Sequence, residues 1–292
     1  MKAPSPRLVG LLLAFAAPLS WSIGGIIIRS VEAEPWDIVF WRAAGHVLCF
    51  PVAMWWLWGR SVLVDLRAVG RPALAVALFM ACTLIFHVLA MTRTTVANVL
   101  ILQSMSPLLV AVLCWIFLDE RLRASGWLIL AVAFSGLALV MGGSLGSGDM
   151  TGNVFALVVA VCSAAHVTIV RRHRARNLAA VTLPAAVLAT AVSLIYAQPF
   201  AVSLPDIGLL ILLGGVQMSF GLTCFILALR YLPAAEVTLI ALLEPILGPI
   251  WVWLVIGEEP AATTIVGGII VLGALAAHVL LATRRARQEP AP

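Results

Sequence analysis

Residues 89–120, LAMTRTTVANVLILQSMSPLLVAVLCWIFLDE, return 138 positions later as residues 227–258, LALRYLPAAEVTLIALLEPILGPIWVWLVIGE. Aligned without gaps, the two share Leu89/Leu227, Ala90/Ala228, Ala97/Ala235, Val99/Val237, Pro107/Pro245, Leu109/Leu247, Trp115/Trp253 and Glu120/Glu258. Leu, Ala and Val coincide easily in so apolar a chain; Pro, Trp and Glu do not. In a membrane chain, a proline-interrupted apolar segment that recurs in both halves points to a duplicated transporter with its site near the interruptions. The copies differ at their centre, where Ser106 precedes the first proline and Glu244 the second.

Hydrophobic residues make up 63% of the chain and charged residues 11%, against about 45–50% and about 25% in soluble proteins. This composition is that of an integral membrane protein. Ten apolar runs read as spans: Leu8 to Ile28, Ile38 to Trp58, Pro72 to Met91, Val96 to Leu118, Ser125 to Met141, Gly152 to Val170, Ala179 to Ala197, Asp206 to Leu229, Ala234 to Ile256 and Ala262 to Ala282. Most are long enough to cross about 30 Å of hydrocarbon. The connections between them are too short for a soluble domain. Ala14-Phe15-Ala16 imitates a signal cleavage site, but the apolar run before it is shorter than a signal requires, so the first run is read as a retained helix.

The net charge of +5 suggests a nucleic-acid partner until the charges are placed. Of the 18 Lys and Arg, all but Arg29, Arg42 and Arg93 fall at the termini or in alternate connections on one side. By the positive-inside rule that side and both termini are cytoplasmic. The basic excess is therefore a topology signal, and no nucleic-acid partner is expected. Cys49, Cys82, Cys114, Cys162 and Cys224 all lie in apolar runs without close spacing. They read as small buried hydrophobes, with no metal site or disulfide framework.

Five spans in each half is an odd number, so the second copy enters the bilayer upside down. The expected fold is all-α, with ten transmembrane helices as two inverted five-helix repeats around a central cavity. Residues 1–143 form the first repeat, 144–151 a glycine-rich linker, 152–283 the second repeat and 284–292 a basic cytoplasmic tail. The first span of each half agrees as well, with Ser20 and Arg29 matching Ser163 and Arg172.

Glu244 lies halfway along its span, where an ionised group costs several kcal/mol unless paired or hydrated and so marks a functional position by default. Pro245 and Pro249 each remove a helical hydrogen bond, and Pro107 does the same in the first copy, which opens the backbone toward a cavity. A carboxyl there can bind substrate, carry protons through transport, or simply fix the kink. Arg42 can reach outward to Glu32, Glu34 or Asp37, or inward to Glu244 or a substrate carboxylate. Asn98, Gln103 and Ser106 form a polar stripe on the fourth span, suited either to lining a cavity or to joining helices. His166 follows Ser163 by one helical turn, and Gln217 opens a polar run with Ser219 and Thr223. Trp21 is the one tryptophan well inside a span, placed for core packing or for stacking on a ligand. Gly24-Gly25, Gly214-Gly215 and Gly267-Gly268 allow close helix approach or bending.

With these residues in hand the chain resembles the drug/metabolite transporter superfamily, specifically its EamA-type members. The resemblance rests on Leu102-Gln103-Ser104-Met105-Ser106-Pro107 leading to Leu118-Asp119-Glu120-Arg121-Leu122, and on Leu243-Glu244-Pro245 leading to Gly257-Glu258-Glu259. Leu19-Ser20-Trp21-Ser22 and Phe40-Trp41-Arg42 resemble the signatures of the first two helices. Pro260 departs from the usual basic or leucine-rich continuation. The resemblance implies an inner-membrane carrier of small metabolites, most often an exporter, working by alternating access without cofactor. Trp21, Met105 and Met218 with few charges suit neutral, hydrophobic or aromatic amino acids; drugs or nucleobase-like metabolites are the alternative cargo. No HExxH or Asp-rich motif supports a membrane-embedded enzyme, and the match to GxSxG at Gly142-Gly143-Ser144-Leu145-Gly146 lies in the glycine-rich linker; a sensor or scramblase is the remaining rival class. Oligomeric state is not legible in the sequence.

Overall fold

A computed structural model describes residues 5–58, 72–119, 124–143, 150–172 and 178–288. All regular structure among them is helical, as hydrocarbon demands of a chain whose backbone groups must find partners within their own segment. Large apolar side chains such as Leu12, Leu48, Leu128, Leu254 and Ile269 face outward, where lipid replaces water as their solvent.

Eight of the described helices are long and apolar enough to cross a membrane, where the sequence suggests ten. The two that differ are the second and seventh runs. The second is one helix of 24 residues, Pro35–Trp58, which carries Asp37, Arg42 and His46. The seventh, Leu178–Ser193, is 16 residues long and stops short of Ala197. The N–H groups of Tyr196 and Ala197 both turn back onto Ser193 O, at 3.0 and 2.8 Å, and close the helix there. The glycine-rich linker and the acidic motif at Glu120 lie outside the described residues.

The fourth and ninth runs are each broken into two helices at the same place. The fourth consists of Val96–Gln103 and Ser106–Leu118, the ninth of Ala234–Ala241 and Glu244–Ile256. Every boundary recurs at the 138-residue spacing of the sequence repeat. Pro107 and Pro245 occupy the first turn of the second helix of each pair, where a missing N–H costs nothing. The proline therefore starts a helix in each copy instead of kinking one. Both second helices end on a left-handed residue, Asp119 at φ 56° and Gly257 at φ 81°, again 138 apart. Asp pays a conformational cost there that Gly does not.

Contacts between the runs repeat in the same way. The third packs on the sixth and the first on the eighth; the second meets the seventh and the fifth meets the tenth. The fifth and tenth cross at Gly136 and Gly267, where a Cβ on either would come within 2.8 or 2.6 Å of the other's carbonyl oxygen. Small residues allow this backbone approach, the main source of helix association where lipid is as apolar as leucine.

One end of the bundle is tied by polar contacts. Glu258 accepts from Val96 N at 2.7 Å and pairs with Arg29 Nη2 at 2.9 Å, and the same Arg29 nitrogen donates to Thr94 O at 2.6 Å. Beneath them, Thr264 Oγ1 donates to Asn98 Oδ1 at 2.7 Å, and both Asn98 Nδ2 and Thr94 Oγ1 donate to Asn153 Oδ1, at 3.3 and 2.9 Å. These contacts join the first, fourth, sixth, ninth and tenth runs. The carboxylate also stands at the N-terminus of the Val96–Gln103 helix, complementing its dipole. Glu258→Gln is expected to destabilise the fold by about 1–2 kcal/mol, since it removes charge-assisted hydrogen bonds. Thermal unfolding in detergent reads the loss, and an unchanged midpoint would show that the tie contributes nothing.

Candidate functional site

Residues from both the first and the second half of the sequence line a cavity of about 240 Å³ whose walls are largely apolar. Trp21, Arg42, Gln217 and Glu244, each singled out in the sequence, line it together with His87. They come from the first, second, eighth, ninth and third runs. Sequence spacing alone does not bring these five runs to one point.

Three local departures from straight helix build the cavity. The first is the interruption of the first run at Ile23, between helices Pro6–Ser22 and Gly24–Ser30. There Gln217 Nε2 donates to Ser20 O and Trp21 O at 2.8 and 2.9 Å, while Ser20 Oγ donates to Gln217 O at 2.8 Å. The amide thus satisfies carbonyls near the helix end that the break leaves short of partners. The second departure is a π-helical stretch, Leu212–Met218, a local widening often found at functional sites. It brings Gln217 against the first run and the Gly214-Gly215 pair against the second. The third is the break before Glu244, which places the carboxylate in the first turn of a helix at the cavity wall.

The glycine pair is required by packing. A Cβ at Gly214 would fall on Arg42 O, and one at Gly215 would meet Cys49 Sγ at 2.5 Å. Gly214→Ala is therefore expected to cost about 3 kcal/mol or more, because the obstructing atom is backbone. Loss of folded protein on size-exclusion chromatography checks this; a well-behaved variant of normal stability would contradict it.

Arg42 does not reach Glu32, Glu34 or Asp37, three of the partners that the sequence offers. Asp37 instead accepts from Gln198 N at 2.6 Å. Arg42 Nε and Nη1 are buried with no hydrogen-bond partner among the described residues. Glu244 shares the cavity but lies beyond 4.0 Å, since the described salt bridges are Arg7–Glu236 and Arg29–Glu258. Opposite charges therefore face one empty volume without closing on each other. Such groups are expensive to keep in hydrocarbon unless something else comes to complete them.

The other sequence candidates stand outside the cavity. Asn98 belongs to the polar tie at the end of the bundle. Ser106 is half-buried at the break of the fourth run, without lining the cavity as its counterpart Glu244 does. His166 is on the sixth run, Met150–Arg172, which is continuous where the first run is interrupted. Pro245 and Pro249 line a separate apolar cleft with Trp253 and Ile269, and Pro107 borders neither. Gln103 sits behind the wall, with Oε1 2.9 Å from His87 Nδ1. His87, one of five histidines in the chain, is not marked as a cavity residue by its sequence context, because its partner is sixteen residues away on another helix.

Membrane-length helices, several of them interrupted, around a cavity that holds Arg42 and Glu244 are what a membrane carrier requires. The chain belongs to the EamA-like transporter family, whose model matches residues 8–142 and 150–280. It is 30% identical over 276 residues to the pseudopaline exporter CntI of Pseudomonas aeruginosa strains UCBPP-PA14 and PAO1, covering 90% of this chain and 93% of each relative. A solved crystal structure superposes with a TM-score of 0.60 at 20% identity, covering 95% of this chain and 99% of the other. That likeness is one of fold. The protein is thus a multi-pass membrane transporter of this family.

Proposed function

We propose that the chain exports neutral, hydrophobic or aromatic amino acids and related zwitterions by alternating access. The observation that carries this reading is the juxtaposition of Arg42 and Glu244 on one small cavity with apolar walls. A zwitterion supplies a carboxylate to Arg42 and an ammonium to Glu244, and Trp21 offers a face for an apolar side chain. Its binding would complete both buried charges at once, which a neutral drug or nucleobase does only in part.

Two inverted five-helix halves and ten crossings fit the recurring breaks and the paired contacts, with both termini on the cytoplasmic side. The second helix then supplies Arg42 to the cavity, and the seventh is a short crossing packed on the second and third. Glu244 is the group placed to exchange a proton for cargo, and Trp21, Arg42, Gln217 and Glu244 bind substrate. Asn98, Gln103, Ser106 and His166 support the site from outside, and the breaks at Pro107 and Pro245 let the halves move.

Counterflow of labelled amino acids in proteoliposomes tests the cargo. Accumulation of leucine, phenylalanine or tyrosine supports the reading, and its absence across the amino acids overturns it. The similarity to CntI favours a second reading, a cargo like pseudopaline. Pseudopaline in the same assay separates the two.

A further inference from the structure

Apart from its charges, the cavity presents a ring nitrogen whose hydrogen-bonding role is fixed from behind. Gln103 Nε2 donates to Val99 O at 3.1 Å, and Gln103 Oε1 lies 2.9 Å from His87 Nδ1. A backbone carbonyl only accepts, so the amide nitrogen must face Val99 and the amide oxygen must face the imidazole. That oxygen also only accepts, so the proton of the neutral ring is on Nδ1. Nε2 is left with its lone pair. It has no protein partner among the described residues and is not among the buried unpartnered atoms, while His87 itself lines the cavity. The free lone pair therefore opens onto the space that holds the cargo.

Gln103 does for His87 what an orienting partner does for a catalytic or metal-binding histidine, which is to fix the tautomer by occupying the other nitrogen. Reorienting the amide is blocked, because its NH₂ would then lose Val99 O. The acceptor is thus rigid; Met80, Met91 and Leu100 on the same wall cannot satisfy it, and Arg42, the charged donor that shares the cavity, makes no hydrogen bond to it. A cargo with no donor at that point would displace water from Nε2 and leave it unpaired, a strong basis for discrimination between near-isosteres.

We propose that His87 is a specificity-determining residue, with Gln103 as its positioning residue, and that among zwitterions the cavity selects those whose side chain carries an N–H or O–H donor. This rests on the amino-acid reading above and narrows it to cargo of the phenol or indole kind over plain phenyl. Arg42 and Glu244 read the backbone of the cargo; His87 reads its side chain.

The test is competition against labelled tyrosine counterflow in proteoliposomes of the full chain, with unlabelled tyrosine, O-methyltyrosine and phenylalanine as competitors. In the wild type, tyrosine should compete roughly tenfold or more better than the other two. His87→Phe should bring that ratio to within about twofold of unity. Gln103→Leu, which frees the ring to adopt either tautomer, should lower it to an intermediate value. Equal competition by tyrosine and phenylalanine in the wild type overturns the proposal without any variant. So does an unchanged ratio in folded His87→Phe or Gln103→Leu protein. Failure of the parent reading looks different: no amino acid then gives counterflow at all, and both claims fall together.

Discussion

Glu244→Gln flattens the pH profile of transport and lowers proton-driven export by roughly tenfold or more, the equivalent of about 1.4 kcal/mol. The argument starts from position. Glu244 opens the second half of a broken helix and faces the cavity, with Arg42 and His87 as the other ionisable groups on its walls. A carboxyl there carries a charge only when deprotonated, and each change of state alters what the Arg42 guanidinium and the cargo encounter. If the proton leaves or binds during each cycle, an inward proton gradient drives export through Glu244, and acidification of the outer side speeds it. Glutamine keeps the shape and the hydrogen-bonding capacity but stays neutral at every pH. The variant should therefore lose response to the gradient while folding normally. Equal rates and the same pH profile in the two proteins would leave Glu244 as a structural group at the break.

Arg42→Met separates function from stability more sharply. Methionine fills much of the same volume without charge, so binding of a carboxylate cargo should weaken by roughly a hundredfold, in line with the 2–5 kcal/mol lost when one member of a desolvated charge pair is removed. The fold should respond in the opposite sense. Two guanidinium nitrogens are buried without partners among the described residues, so their removal relieves a desolvation cost and the melting temperature should hold or rise. Arg42→Lys keeps the charge but loses the planar fork, and should recover part of the binding. Binding measured by calorimetry beside thermal unfolding in the same detergent decides the matter. A variant that binds cargo as the wild type does, or that melts well below it, would show Arg42 to be a structural residue.

The broken helices were the most legible part of the site. Ser106-Pro107 and Glu244-Pro245 stand at equivalent places in two copies, and the structure interrupts both helices at the same register. The first-run break at Ile23 was signalled only by Gly24-Gly25, because the amide that satisfies its carbonyls comes from Gln217, nearly two hundred residues away. Arg42 shows the limit in another way. Acidic neighbours in sequence offered an outward pairing, yet the direction of the side chain is decided by which face of Pro35–Trp58 packs on the π-helical stretch of the eighth run. Asn98 and Gln103, one helical face apart, were equally plausible as cavity lining. Packing sends one into the polar tie at the bundle's end and sets the other behind His87.

By itself the sequence determined the membrane environment, the helical class and the repeat, since these follow from hydropathy, run length and local backbone chemistry, all properties of neighbouring residues. It also picked out Glu244 and Arg42 as costly charges in apolar surroundings. Only the tertiary structure decided which polar groups share a volume. Every spanning helix has a full circle of faces, and helices that are apolar all round carry no marking of the face that turns inward. That choice is made by close backbone contacts such as Gly214 on Arg42 and Gly136 on Gly267, which depend on two distant segments at once.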